Sequence, residues 1–148
     1  MIDINKKDSD GVNAFWIAAY FGHGKVMSVL AESGIDVMNV DPKGANVLHI
    51  AAKKASLKGY PAEEIISMLI KSGFPLDNQT NKGETAVAIA AQRGNLASLR
   101  ILVQEKANVN ILNAHDLSPL YLAILNDHED VAEFLLDEGA LAFIEGTD

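Results

Sequence analysis

The chain has 148 residues, 49% of them hydrophobic, which is the composition of one folded domain rather than of a disordered segment. Its 20 Asp and Glu residues against 12 Lys and Arg residues give a net charge of -8, which disfavours nucleic-acid binding. The absence of cysteine excludes disulfides, thiol nucleophiles and thiolate zinc sites. Because no apolar run approaches the roughly 18 residues of a membrane span, we expect no membrane insertion and an intracellular, cytoplasmic protein.

Four related segments follow one another along the chain. They are GVNAFWIAA from Gly11, GANVLHIAA from Gly44, GETAVAIAA from Gly83 and DLSPLYLAI from Asp116. Their starting positions are 33, 39 and 33 residues apart, which indicates a repeat of 33 residues with one six-residue insertion. Each segment has a small polar residue at its third position and an apolar, helix-forming run after it.

The third position of each segment predicts the start of a helix. Asn, Thr and Ser are preferred there because their side-chain oxygen accepts a backbone N–H of the first turn. Pro119 follows the last of them at the first helical position, where its missing N–H is not needed. The small and apolar residues that follow predict a helix that packs closely on its neighbours. The predicted caps are Asn13, Asn46, Thr85 and Ser118, and the predicted core residues are Phe15, Leu48, Val87 and Leu120.

A second apolar run at helical spacing follows each of these helices, so each unit is predicted to be a helix pair. Turn-rich connectors of equal length, 34–44, 73–83 and 106–116, join the units. The insertion then lies within 55–64, between the helices of the second unit, where Gly59 and Pro61 interrupt the helical pattern. We expect a longer loop between the two helices there, with one extra helical turn followed by a bend, on the edge opposite the hairpin tips. The second apolar runs are Val26, Val29 and Leu30; Ile65, Met68 and Leu69; Leu99, Ile101 and Leu102; and Val131, Phe134 and Leu135.

These segments resemble the ankyrin repeat family, whose pattern GxTPLHxAAxxGHxxVVxLLLxxGADVN spans about 33 residues. The resemblance extends over essentially the whole chain. It implies an all-α solenoid of helix-turn-helix repeats joined by short β-hairpin-like loops. We expect a single domain, 1–148, with repeats at approximately 8–40, 41–79, 80–112 and 113–145, which are called repeats 1 to 4 below.

Both ends of the chain match parts of further repeats. The string DINKKDSDG from Asp3 is similar to the tail of a preceding repeat, and GALAFIEGTD from Gly139 begins another connector. Solenoids expose the apolar faces of their terminal units unless capping repeats cover them, and Phe15, Trp16 and Met27 provide no polar cap at the front. We therefore expect a segment of a longer array.

The histidines are the natural candidates for catalytic groups, but the resemblance gives them structural roles. His49 occupies the TPLH column, and His23 and His128 occupy the Gly-His column, where ring nitrogens bond to the backbone. His115 lies at a predicted hairpin tip, which is ordinary turn chemistry. No phosphate loop, nucleophile elbow or HExxH zinc motif is present. We therefore expect no enzyme activity, no cofactor and no metal site.

Two residues depart from the family pattern. Trp16 replaces the histidine of the TPLH column and so loses its hydrogen-bonding role. We expect it to pack against a preceding repeat, and the alternative is a binding hot spot. Lys106 replaces the glycine of GADVN, which strains the helix end if that position needs a left-handed backbone.

The resemblance also implies partner binding through the concave groove, with contacts around the initial Gly and from the pair after the double alanine. In these columns, five of the twelve basic residues fall in repeats 2 and 3, against one acidic residue, Glu84. An aromatic pair precedes the cations, and two leucines follow them. The predicted partner-binding residues are Tyr20, Phe21, Lys43, Lys53, Lys54, Lys82, Arg93, His115, Leu117 and Leu125.

This pattern favours a monomeric protein-interaction scaffold whose partner is another protein or peptide with acidic and apolar side chains. A structural explanation stays open, because Lys53, Lys54 and Arg93 at helix C-termini complement the helix dipole, while Lys43 and Lys82 are solubilising turn residues. The alternative function is a structural or regulatory segment of a larger enzyme, channel or effector, with no binding partner of its own.

Overall fold

The computed structural model describes residues 3–140, which form eight α-helices and no strand. Two helices fall within each predicted repeat, and this confirms the all-helical solenoid. The final residues of predicted repeat 4 and most of the connector from Gly139 lie outside the described residues. The helices are α1 Ala14–Tyr20, α2 Gly24–Glu32, α3 Val47–Lys54, α4 Ala62–Lys71, α5 Ala86–Arg93, α6 Leu96–Gln104, α7 Pro119–Leu125 and α8 Glu129–Asp137.

The first helix of every repeat begins at its predicted cap. Each cap side chain accepts the backbone N–H three residues further on, at 3.0 to 3.1 Å. Pro119 takes the first position of α7, as predicted. The four predicted core residues of these helices are buried. The capped residues are Asn13, Asn46, Thr85 and Ser118.

Consecutive first helices pack side by side, α1 on α3, α3 on α5 and α5 on α7. Ala19, Ala52 and Ala91 lie on these helices and are fully buried, since their small side chains allow a close approach. The second helices pack in the same order, α2 on α4 and α4 on α6. The buried residues form one continuous core along the solenoid.

The connectors end in tight turns that stack on one another through the backbone. The N–H of Asn81 donates to the carbonyl of Lys43, and the N–H of Ala114 donates to that of Lys82, each at 2.9 Å. Gly83 has φ 74°, and a Cβ added to it would lie 2.7 Å from the backbone nitrogen of Ala114. Glycine is therefore needed at this tip both for its left-handed backbone and for the approach of the next repeat.

At the other edge, each interface has at least one side chain that bonds to the end of the preceding repeat's first helix. The last carbonyls of a helix have no partner within it, so such contacts satisfy groups that would otherwise need water. The pairs are Tyr60 Oη with the Ala19 carbonyl, Asn95 Nδ2 with the Ala52 carbonyl at 2.9 Å, and His128 Nε2 with the Gln92 carbonyl at 3.0 Å.

The insertion forms a longer loop between α3 and α4, as expected, but it contains no extra helical turn, so that part of the expectation was wrong. Helix α3 ends at Lys54 and has eight residues, as α5 has. Residues 55–61 instead form consecutive turns, because Gly59 takes a left-handed φ of 84° and Pro61 cannot extend the helix. These turns bring Tyr60 against the preceding repeat, where burial raises the pKa of its hydroxyl to about 12.

Repeat 1 differs from the sequence pattern in its second helix. We expected Phe15 and Met27 to belong to an exposed apolar face at the front of the solenoid. Both side chains are buried, so they do not form such a face. Val26 and Val29, which belong to the apolar run that predicted this helix, face outward. The run contains apolar residues at three of four consecutive positions, and packing against α4 selects Met27 as the one turned inward.

Trp16 keeps the hydrogen-bonding role that we expected it to lose. Its Nε1 donates to the Ala45 carbonyl of repeat 2 at 3.0 Å. His49, in the same column of repeat 2, places Nε2 2.7 Å from the Asn78 carbonyl further along the chain. The expectation that Trp16 packs against a preceding repeat was therefore wrong, because its ring reaches toward the following one. His23 stacks on Phe21 instead of bonding to the backbone.

His49 makes the free energy of unfolding depend on pH. Its Nδ1 accepts the Asn46 N–H at 3.0 Å, so the ring is neutral, and burial lowers its pKa below 6.5. The unfolded chain then binds a proton below pH 6.5 that the folded chain does not. Urea titrations from pH 7 to 5 are expected to show a loss of stability of up to about 1.4 kcal/mol per pH unit from this group. His49→Gln should have a shallower slope, and identical slopes would contradict this assignment.

Lys106 has φ 69°, which confirms the left-handed backbone at this helix end. Gly73 and Gly139 occupy the corresponding positions, with φ 82° and 91°. Lys106→Gly is expected to raise the free energy of unfolding by about 1 kcal/mol, because it removes the strain of a Cβ in this conformation. Lys106→Ala, which removes the charge but keeps the Cβ, is the control. Equal stability of the two variants in urea denaturation would show that strain is absent.

Candidate functional site

The first helices and turns of repeats 1 to 3 surround an open cavity of about 660 Å³. Helix α1 contributes Ile17, Tyr20 and Phe21, which lie three and four residues apart and therefore share one face. Ile50 lines the cavity from α3, and Leu57 lines it from the insertion.

Three aromatic rings on α1 form a cluster at one end of the cavity. The ring centroids of Trp16 and Tyr20 are 5.5 Å apart and stacked, and those of Tyr20 and Phe21 are 5.1 Å apart, edge to face. Trp16 is fixed by its bond to the Ala45 carbonyl. The cluster is thus held in place, yet Phe21 is 63% exposed, as an apolar anchoring residue must be before its partner arrives.

Lys54 is tied to this cluster. Its Nζ lies 3.5 Å from the centroid of the Tyr20 ring and 5.5 Å from that of Tyr60, and it donates to the Tyr20 carbonyl. A cation over aromatic faces is stabilised by the ring quadrupoles. The Lys54 ammonium therefore already has partners within the protein, and it joins repeat 1 to repeat 2.

Three other cations line the cavity without such partners. Within residues 3–140, the side chains of Lys43, Lys53 and Arg93 make no hydrogen bond or ion pair. Three aspartates also line the cavity, Asp8, Asp10 and Asp41. Two of them are engaged in their own turns, since Asp8 accepts the Val12 N–H at 3.1 Å and Asp41 accepts the Ala45 N–H at 2.8 Å. The cations are therefore available to negatively charged groups that enter the groove.

The structure brings six of the ten predicted residues together around this cavity: Tyr20, Phe21, Lys43, Lys53, Lys54 and Arg93. Four lie beyond it, in repeats 3 and 4: Lys82 and His115 at exposed tips, Leu125 exposed at the end of α7, and Leu117 partly exposed. Sequence reasoning missed Ile17, although its helical spacing from Tyr20 and Phe21 was a usable signal. It also missed Ile50 and Leu57, and no pattern in the sequence places Leu57 in the groove.

The architecture is matched by a family model described as ankyrin repeats, in three copies, over residues 54–144. The chain belongs to the ankyrin repeat family. Repeat 1 and all of α3 except its last residue precede the matched range, and they show the same caps and packing as the ankyrin repeats after them. Ankyrin repeats are generally protein-interaction modules. No curated protein matches the chain significantly.

Residues 3–140 contain neither a membrane-spanning helix nor a cluster of metal ligands. No ankyrin helix in this range is long and apolar enough to cross a membrane. The same range contains no group of three or more His, Asp or Glu residues placed to hold a metal ion.

Lys54 and Lys53 are adjacent in the last turn of α3, so they form a matched pair for testing the tie to Tyr20. Lys54→Gln is expected to lower the free energy of unfolding by about 0.5 to 1 kcal/mol, because it loses the cation–π contact. Lys53→Gln loses a similar dipole interaction but no such contact. Equal effects of the two substitutions in urea denaturation would show that Lys54 is not held by the aromatic cluster.

Proposed function

We propose that this chain is a cytoplasmic, monomeric protein-interaction module that binds an acidic and apolar segment of another protein. The supporting observation is the set of unpaired cations, Lys43, Lys53 and Arg93, around a cavity that also exposes the Phe21 ring. The proposal includes the repeat limits given above and a longer ankyrin array of which this chain is a segment.

The two kinds of contact have different roles in this proposal. The Phe21 ring and the apolar floor around Ile17 would take up one or two apolar side chains of the partner, which supplies most of the affinity. The cations would pair with carboxylates on either side of that anchor, which sets orientation and speeds association. A longer partner segment would continue over Lys82, His115, Leu117 and Leu125 in repeats 3 and 4.

One observation favours the structural explanation of the cations instead. Lys53 and Arg93 both lie in the last turn of their helices, where they complement the helix dipole without any partner. Lys43 lies at a connector tip and has no such role. Under this explanation the chain is a structural or regulatory segment of a larger enzyme, channel or effector.

A pull-down with matched variants separates these functions. The groove variant carries Phe21→Ala and Lys53→Glu. The control variant carries Val29→Ala and Lys25→Glu on α2, where Val29 is 62% exposed, as Phe21 is 63% exposed. We expect a specific protein from a cell extract to be retained by the parent and by the control, and to be lost from the groove variant. Its affinity for the parent should fall as salt rises, because carboxylates pair with the cations.

Circular dichroism melts would first show that all three proteins unfold cooperatively. If the groove variant retains the same proteins as the parent, the groove is not the binding site. Loss of the partner from the α2 variant would place binding on another face.

A further inference from the structure

We propose that the outer face of repeat 4, formed by Tyr121, Ile124 and Leu136, is a second docking surface, for a cationic amphipathic helix of a partner protein. This surface is separate from the groove and does not depend on the function proposed for it. It consists of positions that are buried or partly buried in repeats 2 and 3.

The second residue of the double alanine in the first helices of repeats 1 to 3 shows why this face differs from the corresponding faces of those repeats. Ala19, Ala52 and Ala91 are each 0% exposed, because the first helix of the next repeat packs directly on them. Ile124 occupies the same column in α7 and is 60% exposed. Its larger side chain fills the space that the next helix needs at the other three interfaces.

Two positions that are glycine in repeat 3 are aspartate in repeat 4. A Cβ on Gly83 would lie 2.7 Å from the Ala114 nitrogen of the next tip, and one on Gly94 would lie 2.5 Å from the His128 ring. Repeat 4 has Asp116 and Asp127 in these columns, both with φ 61°. A fifth ankyrin repeat stacked in the geometry of the interface between repeats 3 and 4 would therefore collide with two side chains.

The face is nevertheless apolar. Tyr121 and Leu136 are exposed. The residues in the Tyr121 column of repeats 2 and 3, His49 and Ala88, are buried. Ile70 and Val103, in the Leu136 column, are partly buried against the core. Large exposed apolar side chains that share one face mark interaction surfaces.

Charge identifies the kind of partner. All 12 Lys and Arg residues lie within 1–106, whereas residues 107–148 carry nine Asp and Glu residues and no Lys or Arg. Glu133 is in the column of Arg100, whose guanidinium lies 5.0 Å from the Phe134 ring of the next repeat. Glu133, Asp116 and Asp127 thus occupy three columns that contact the next repeat in repeat 3. This arrangement favours an apolar stripe flanked by Lys or Arg, and it disfavours a second copy, whose acidic residues would face these.

The test measures binding of two synthetic peptides by fluorescence anisotropy in about 0.15 M salt. The first peptide, of about 18 residues, places Leu at helical spacing and Lys elsewhere. The second has the same composition with Leu and Lys alternating, so it has no apolar helical face. We expect the parent protein to bind the first at least ten-fold more tightly. Ile124→Gln should abolish that preference, whereas Phe21→Gln, at a similarly exposed groove position, should keep it. Asp127→Asn should weaken the salt dependence of binding.

Three results would overturn this inference. Equal affinity for the two peptides would show a purely electrostatic attraction. Loss of binding in Phe21→Gln with retention in Ile124→Gln would assign the peptide to the groove. A parent dimer in analytical ultracentrifugation that Ile124→Gln converts to a monomer would identify a second copy as the occupant.

Discussion

The close approach of consecutive repeats is the constraint on which the rest of this structure depends. The tip glycine Gly83 and the first-helix residues Ala52 and Ala91 leave no side chain between one repeat and the next. Stacked tips can then bond through their backbones, and side chains such as Tyr60 and Asn95 can reach helix-end carbonyls of the preceding repeat. A methyl group added at Gly83 would separate these partners, so the core packing and the hydrogen bonds form together there.

The groove chemistry follows from this stacking. Residues in one column of the repeat become neighbours along the groove, so Phe21, Lys54 and Arg93 lie in one row although their separation in the chain is large. Because the aromatic residues of repeat 1 lie beside the cationic residues of repeat 2, the Lys54 ammonium can contact the Tyr20 ring. The remaining cations keep their charge free for a partner. The groove therefore changes from aromatic in repeat 1 to cationic in repeats 2 and 3.

Local patterns in the sequence predicted the caps and the first-helix core, because each depends on residues within one repeat. The concentration of cations in the groove followed from the resemblance to ankyrin repeats, which implied the groove positions. The contacts that were missed join distant residues: Trp16 and Ala45 are 29 positions apart, and Tyr60 and Ala19 are 41 apart. The periodicity of apolar residues in the sequence does not indicate which distant residues form such pairs. The sequence pattern also could not predict which face of α2 is buried. Met27 lies between other apolar residues, and only packing selects which of them is buried.

The most direct test of the central claim, that the groove of repeats 1 to 3 is where a partner binds, is photo-crosslinking in cell extract. A photoreactive phenylalanine analogue would be placed at Phe21 in one sample and at Val29 in another, two positions of nearly equal exposure on different faces. The account predicts that one protein crosslinks in high yield from position 21 and not from position 29. Equal yields from both positions, or crosslinking from position 29 alone, would contradict it.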